Sequence, residues 1–238
     1  DLNTAYTSAG ISNLGNEAVT LSDTSLAASV LNTLDGHTSG AIDASSINTL
    51  TGAAADLNTA YAANGSSITG LGNEAATLAD TTLAVSVLNL LDGHTSGTIN
   101  AGSINTLTGA AADLNTAYTS GGISNLGNEA VTLSDTSLAV SVLNALDGRT
   151  SGAINASSIN TLTGSAADLI TAYDSGGISG LGNEAVNVNS GTASTSQANA
   201  LAADTSAVVT ATISDGDMAT LAGLTETGNA YSITITDN

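Results

Sequence analysis

The sequence predicts an α/β solenoid: about nine parallel βα turns, one strand and one helix to the turn, with one sheet face open to solvent. Three observations predict it. First, the chain repeats: "DLNTAY" begins at Asp1, Asp56 and Asp113 and returns as "DLITAY" at Asp168, while "LGNEA" begins at Leu14, Leu71, Leu126 and Leu181. Second, strand-like and helix-like hydrophobic periods alternate inside each repeat. Third, strand-like stretches recur 22–34 residues apart, the spacing of βα units, whose helical crossovers make neighbouring strands parallel.

The elements follow in order. "AVTLSD" (Ala18–Asp23) alternates apolar with small polar residues, the mark of a strand with one buried face. "TSLAASVLNTL" places Leu26, Val30, Leu31 and Leu34 at helical spacing. Asp35-Gly36 supplies a helix stop, with glycine suited to a left-handed position past the end. "GAIDAS" is a second strand, and "INTLTGAAADLNTAY" a second helical stretch that Gly52 interrupts. "TSAGISNLGNE" is the loop between repeats.

Inward strand positions then fall at Leu21, Ala44, Leu78, Ala101, Leu133, Ala156, Val188, Ile213 and Ile235, alternating short and long turns. Residues 1–185 thus form four related repeats of 55–57 residues, the first incomplete, with two turns each. Residues 186–238 form diverged turns of 22–25 residues, continuous with the first part. A sheet buried on both faces would show unbroken apolar runs instead of alternation. The alternative architecture is an all-β parallel helix, against which the helical spacing of "LAVSVLNLL" argues.

Composition narrows the function. Of 238 residues only 9 % are charged, against about 25 % in an average domain. There are 21 acidic residues and a single basic one, Arg149, for a net charge of -20. That balance excludes nucleic acid and anionic membrane surfaces as partners. No apolar run approaches the roughly 20 residues of a membrane span. Without cysteine there is neither a disulfide framework nor a thiolate metal site. No nucleophile–base pair and no phosphate-cradling glycine loop followed by lysine is present, so the reading is not an enzyme.

The repeated acidic residues divide into a column that varies and columns that do not, the latter being the "LDG" aspartates Asp35, Asp92 and Asp147, the "DLNTAY" aspartates Asp1, Asp56, Asp113 and Asp168, and the "LGNE" glutamates. Two positions past each inward strand residue stand Asp23, Ser46, Asp80, Ser103, Asp135, Ser158, Ser190, Asp215 and Asp237. A column that accepts either Asp or Ser selects for helix N-caps, so each is expected to start the helix that follows it. The "LGNE" glutamates, Glu17, Glu74, Glu129 and Glu184, are never replaced. They are the candidate ligands for calcium, a cation that takes carboxylate and carbonyl oxygens. The alternative is a loop carboxylate that accepts backbone N–H groups. His37 and His94 give way to Arg149 in the third copy, which reads as a helix-end cation position or plain surface. Tyr6, Tyr61, Tyr118 and Tyr173 recur and are expected to plug the helix–sheet core with the hydroxyl near its rim. Outward strand residues such as Thr20, Thr77, Asn100 and Thr132 form an irregular polar array of the kind that can meet carbohydrate or ice.

The stretches "TLSDTSLAASVLNTLDGHTSGAIDASSINTLTGAAADLNTAY" and "TISDGDMATLAGLTETGNAYSITITD" resemble repeats of giant secreted cell-surface proteins of marine cyanobacteria and proteobacteria. The resemblance covers essentially the whole chain. It implies export, often by a type I system, and a place at the cell surface or in an extracellular matrix, and it carries over no catalytic residue. The G-G-x-G-x-D nonapeptide of calcium-binding secreted repeats is absent.

The expected function is structural: a segment of a rod, fibre or surface layer outside the cell that associates with copies of itself or with neighbouring repeats. The competing expectation is an adhesin-like binding module whose acidic loops or open sheet face hold calcium, glycan or a surface such as ice.

Overall fold

A computed structural model describes residues 2–237. In chain order the elements are α1 (Leu2–Thr7), β1 (Val19–Thr20), β2 (Ser25–Ala27), α2 (Ala28–Asp35), β3 (Ile42–Asp43), β4 (Thr49–Gly52), α3 (Ala54–Ala62), β5 (Ile68–Thr69), β6 (Ala75–Leu78), β7 (Thr82–Ala84), α4 (Val85–Asp92), β8 (Ile99–Asn100), β9 (Thr106–Gly109), α5 (Ala111–Thr119) and β10 (Ile123–Ser124). There follow β11 (Ala130–Leu133), β12 (Ser137–Ala139), α6 (Val140–Asp147), β13 (Ile154–Asn155), β14 (Thr161–Gly164), α7 (Ala166–Asp174), β15 (Ile178–Ser179), β16 (Ala185–Val188), α8 (Thr195–Asp204), β17 (Val209–Thr212), α9 (Met218–Leu221) and β18 (Ala230–Ser232). The chain divides into two compact units, Asp1–Thr106 with Thr116–Leu126, and Leu107–Asn115 with Gly127–Asn238.

The parallel βα repeat is present in both units. In the first, β1, β3 and β5 form one parallel sheet, and β2, β4, β6, β8 and β10 another. In the second, β11, β13 and β15 pair in parallel, as do β12, β14, β16, β17 and β18. Two short strands accompany most helices where one was expected, because the chain bends between them and gives one strand to each of two sheets.

The long turns arise from a sideways step of the chain. Val19 pairs with Ile42 and Ile42 with Ile68, so both turns of the first repeat are of similar length. The leg Leu71–Glu74 then carries the chain sideways, and β6 pairs with β4 rather than with β5: Leu78 lies opposite Gly52, not Ala44. Ala44 donates to Thr69 O instead. The inward positions therefore do not form one ladder. Within the second unit the same step places β16 beside β14, with Val188 opposite Gly164.

Helix boundaries are corrected as well. The helix after β2 begins at Ala28, so Leu26 belongs to the strand, and Val30 faces solvent at 40 % exposure. Gly52 does not interrupt a helix. It ends β4 at φ +135°, a conformation that costs glycine little, and α3 starts two residues later. Gly36, Gly93 and Gly148 end their helices in right-handed conformation, at φ -72°, -74° and -72°. They are not the left-handed terminators expected.

The core is aliphatic. Val19, Leu21, Ile42, Ile68, Ala76 and Leu78 point in from strands, and Leu31, Leu34, Leu57, Leu88 and Leu91 from helices. Each fully buried leucine contributes about 2 kcal/mol. The alternate strand residues Thr20, Thr77, Asn100, Thr132 and Asn155 are exposed, which leaves the expected open sheet face. Among the described residues no helix is long and apolar enough to cross a membrane.

Candidate functional site: the repeated Glu–Tyr clasp

The invariant glutamates sit at the sideways step. The glycine two residues before each, Gly15, Gly72, Gly127 or Gly182, has φ between +121° and +131°, which folds the loop so that the carboxylate reaches back to that glycine's N–H. Gly15 donates to Glu17 Oε2 at 2.7 Å, Gly72 to Glu74 Oε2 at 2.8 Å, and Gly127 and Gly182 to Glu129 and Glu184 Oε2 at 2.9 Å. Asn16 and Asn183 N–H groups add bonds of 3.2 Å in the first and fourth copies. Glu74, Glu129 and Glu184 are 1 %, 1 % and 0 % exposed. The Gly15 N–H leads the causes that hold the Glu17 carboxyl below its ordinary value.

One turn later, "TSG" closes on this loop. The hydroxyls of Thr38, Thr95, Thr150 and Thr205 donate to the main-chain oxygens of Glu17, Glu74, Glu129 and Glu184 at 2.7–2.9 Å. The same hydroxyls accept from the N–H of Gly40, Gly97, Gly152 and Ala207. The neighbouring serines bond Gly15, Gly72, Gly127 and Gly182 O through both N–H and hydroxyl. A Cβ on Gly40, Gly97 or Gly152 would overlap the glutamate carbonyl, so the loops touch through bare backbone.

The tyrosine completes the clasp from the helix side. Tyr6 donates to Glu17 Oε2 at 3.3 Å, and Tyr173 donates to Glu184 Oε1. In the second copy the Tyr61 hydroxyl and Glu74 Oε1 are both buried without a hydrogen bond among the described residues. Tyr61 lies near enough to Glu74 and Thr95 to feel both, and burial first, then the Glu74 charge, pushes its hydroxyl up to about 12. Burial and Glu184 raise the Tyr173 hydroxyl further. The tyrosines thus fill the core as expected; the glutamate as their partner is the unexpected part.

The aspartate column does cap helices, but not the ones expected. The helices after Asp23, Asp80 and Asp135 start at Ala28, Val85 and Val140 with no side-chain cap. Asp80 Oδ2 instead accepts from Ala54 N–H at 2.8 Å, at the start of the helix one turn earlier, and Asp135 does the same for Ala111. Asp215 and Asp237 hold Thr195 and Met218 at 2.7 and 2.8 Å. The serine positions differ: Ser103 and Ser158 donate to Leu78 and Leu133 O. Of the "LDG" aspartates, Asp92 and Asp147 each accept from a loop serine, Ser120 and Ser175, at 2.7 Å. Ala63 stands where Asp35 would find that serine, and among the described residues the buried Asp35 Oδ1 has no partner.

A further set of residues went unnoticed in the sequence. Asn3, Asn32, Asn58, Asn115, Asn144 and Asn199 each donate Nδ2 to a main-chain oxygen one turn on, at 2.7–3.1 Å. The signal was available, since asparagine recurs at one position in both kinds of helix; in α7 it is Ile170. His94 Nδ1 lies 3.0 Å from Asn58 Oδ1, and Arg149 Nε donates to Asn115 Oδ1 at 2.7 Å. A ring N–H and a guanidinium fill the same role, which explains why His and Arg interchange. His37 stacks on Tyr6 with ring centroids 5.8 Å apart.

The calcium candidates are therefore met by donors: main-chain N–H groups reach all four carboxylates, and the Tyr6 and Tyr173 hydroxyls reach Glu17 and Glu184. A cation requires converging acceptors instead. Among the described residues no group of three or more His, Cys, Asp or Glu is placed to hold a metal ion.

Fold and clasp define a class: a parallel βα repeat protein whose recurring polar residues bind the main chain of adjoining turns. Comparison adds no family to that class, for no protein-family model, curated protein or solved structure matches the chain.

Proposed function

We propose that this chain is a structural repeat segment of an extracellular or cell-surface assembly, a length of rod, fibre or surface layer. One observation carries the reading: the residues that recur most faithfully are turned inward onto neighbouring backbone. Glu74, Thr95, Asp80 and Asn58 each satisfy a main-chain group of their own or an adjoining turn. A catalytic or ligand-binding repeat would direct such groups to a cleft. An acidic surface with a single basic residue, and so almost no site for trypsin-like cleavage, suits a protein that works outside the cell.

Electron microscopy and sedimentation across a wide concentration range test this. Filaments or sheets are expected at high concentration, and discrete monomers throughout would overturn the self-associating form of the proposal. A second reading is favoured by the exposed polar strand face, where Asn125 Nδ2 bonds Asn100 Oδ1 at 2.8 Å. It assigns that face to glycan or a surface such as ice, and a glycan array with an ice-recrystallisation assay decides it. Melting with calcium and with chelator addresses the glutamates: an integral ion shifts the midpoint by several degrees, whereas the donor-lined geometry leads us to expect no shift.

A further inference from the structure

We propose that Asn64 is a modification site: its side-chain amide converts without an enzyme to aspartate or isoaspartate, at a rate set by the opening of the loop that carries it. The second copy differs from the others in this loop. From Tyr61 to Leu71 it is two residues longer than from Tyr118 to Leu126 or from Tyr173 to Leu181. Asn64-Gly65-Ser66-Ser67 stands where those copies have Gly121-Gly122 and Gly176-Gly177, and Asn64 is the one asparagine of the chain that glycine follows.

That dipeptide carries its own chemistry. The Gly65 nitrogen attacks Asn64 Cγ, an N–Cγ bond forms as the Cγ–Nδ2 bond breaks, and ammonia leaves with the proton of the Gly65 N–H. Water then opens the resulting succinimide ring at either carbonyl. No electrons are transferred, and water is the one co-reactant. A side chain on the attacking residue would hinder the approach, and glycine has none. Glycine stands there for a conformational reason. Gly65 has φ +86°, which other residues rarely adopt, whereas a Cβ at that place would meet nothing within 4 Å.

The closed loop holds both reacting groups. Gly65 N–H donates to Ile68 O at 2.7 Å. Asn64 Nδ2 donates to Leu71 O at 2.9 Å, and Leu71 N–H donates to Asn64 Oδ1 at 3.3 Å. These bonds must release before the nitrogen can turn onto Cγ. Asn64, Gly65 and Ser66 are exposed, so a local opening suffices and the core stays closed. The product does not restore the loop. Aspartate still accepts from Leu71 N–H but has no donor for Leu71 O, and isoaspartate lengthens the main chain by one carbon. Leu71 directly precedes Gly72, whose N–H holds Glu74. The reaction therefore loosens the clasp of the second copy and leaves the other three untouched. This inference does not rest on the filament reading.

The test incubates the intact chain beside a synthetic peptide of residues 61–69 at mildly alkaline pH and maps both by mass spectrometry. The mass gain from losing ammonia and taking up water is expected at Asn64 before any other asparagine. It is expected several-fold more slowly in the folded chain than in the peptide, and at the peptide's rate in urea. Asn64→Asp is expected to lose hydrogen-exchange protection at Leu71 and Gly72 while Gly127 and Gly182 keep theirs. The proposal is overturned if another asparagine reacts first, or if Asn64 stays intact in the folded chain once the peptide has fully converted. It is likewise overturned if folded chain and peptide react at one rate, or if Asn64→Asp leaves exchange at Leu71 and Gly72 unchanged.

Discussion

The clasps around Glu74 and Glu184, one in each unit, are built from nearly the same sequence and differ in detail. Glu184 takes two main-chain N–H groups and the Tyr173 hydroxyl. Among the described residues the Glu74 carboxylate takes the Gly72 N–H alone, and the Tyr61 hydroxyl and Glu74 Oε1 are left without a bond. At the closing turn the second copy has Gly97 and the fourth Ala207. The Ala207 N–H reaches the Thr205 hydroxyl at 3.2 Å, where Gly97 reaches Thr95 at 3.0 Å. The fourth copy admits a methyl group with its loops held as close as in the second, Thr205 meeting Glu184 O at 2.7 Å and Thr95 meeting Glu74 O at 2.8 Å. The difference teaches that the glutamate and threonine define the clasp, which closes to the same distance whether glycine or alanine follows.

Gly97→Ala should break this comparison most strongly. Its Cβ would overlap the Glu74 carbonyl, and a loss of about 2–3 kcal/mol is expected in urea unfolding. Ala207→Gly, the reverse exchange, should stay near neutral. Next comes the tyrosine pair. Tyr173→Phe removes a bond to a buried carboxylate and should cost about 1–2 kcal/mol, whereas Tyr61→Phe removes an unpaired buried hydroxyl and should be neutral or stabilising. Equal losses at both sites would show that the two clasps are the same in solution.

Asn58→Ala should cost about 1 kcal/mol, because Val87 O and His94 both lose their partner. Alkali should act more gently. The Tyr61 hydroxyl is raised from 10.0 to about 12, so the folded state holds that proton more tightly than the unfolded chain. Its contribution is fully present below pH 10 and is lost as pH climbs towards 12. Unfolding midpoints across that range should fall, and Tyr61→Phe should flatten the decline. The smallest effect belongs to Gly93→Ala. Its φ of -74° suits alanine, so a change within about 0.5 kcal/mol is expected, of either sign. A left-handed glycine would instead show a clear loss.

Much of the fold was legible in the sequence. Period-2 stretches such as "AVTLSD" became strands with Val19 and Leu21 inside, and the alternation of strands with helices announced parallel pairing. The unchanging "LGNE" glutamate marked a real structural centre. Its tyrosine partner was hidden because Tyr173 and Glu184 are eleven residues apart across an irregular loop. Asp80 was recognised as a cap from its residue type, yet its helix was misassigned, since a cap column does not say whether the helix served lies ahead or one turn behind. Asparagine was overlooked because a polar residue on a helix reads as solvent-facing until a neighbouring helix is placed beside it.

The sequence by itself determined the period and the βα class. Left-handed backbone was expected at Gly36, which is right-handed; it falls instead at Asn13, Gly70, Asn125 and Gly180, with φ between +63° and +86°, where only asparagine and glycine appear. The tertiary structure alone decided which turn lies beside which. The Leu71–Glu74 leg moves the chain sideways, and from that step follow the pairing of Leu78 with Gly52 and the capping of Ala54 by Asp80. Local rules act over a few residues, whereas these bonds join groups 26 residues apart, and their register depends on the accumulated geometry of every bend between them.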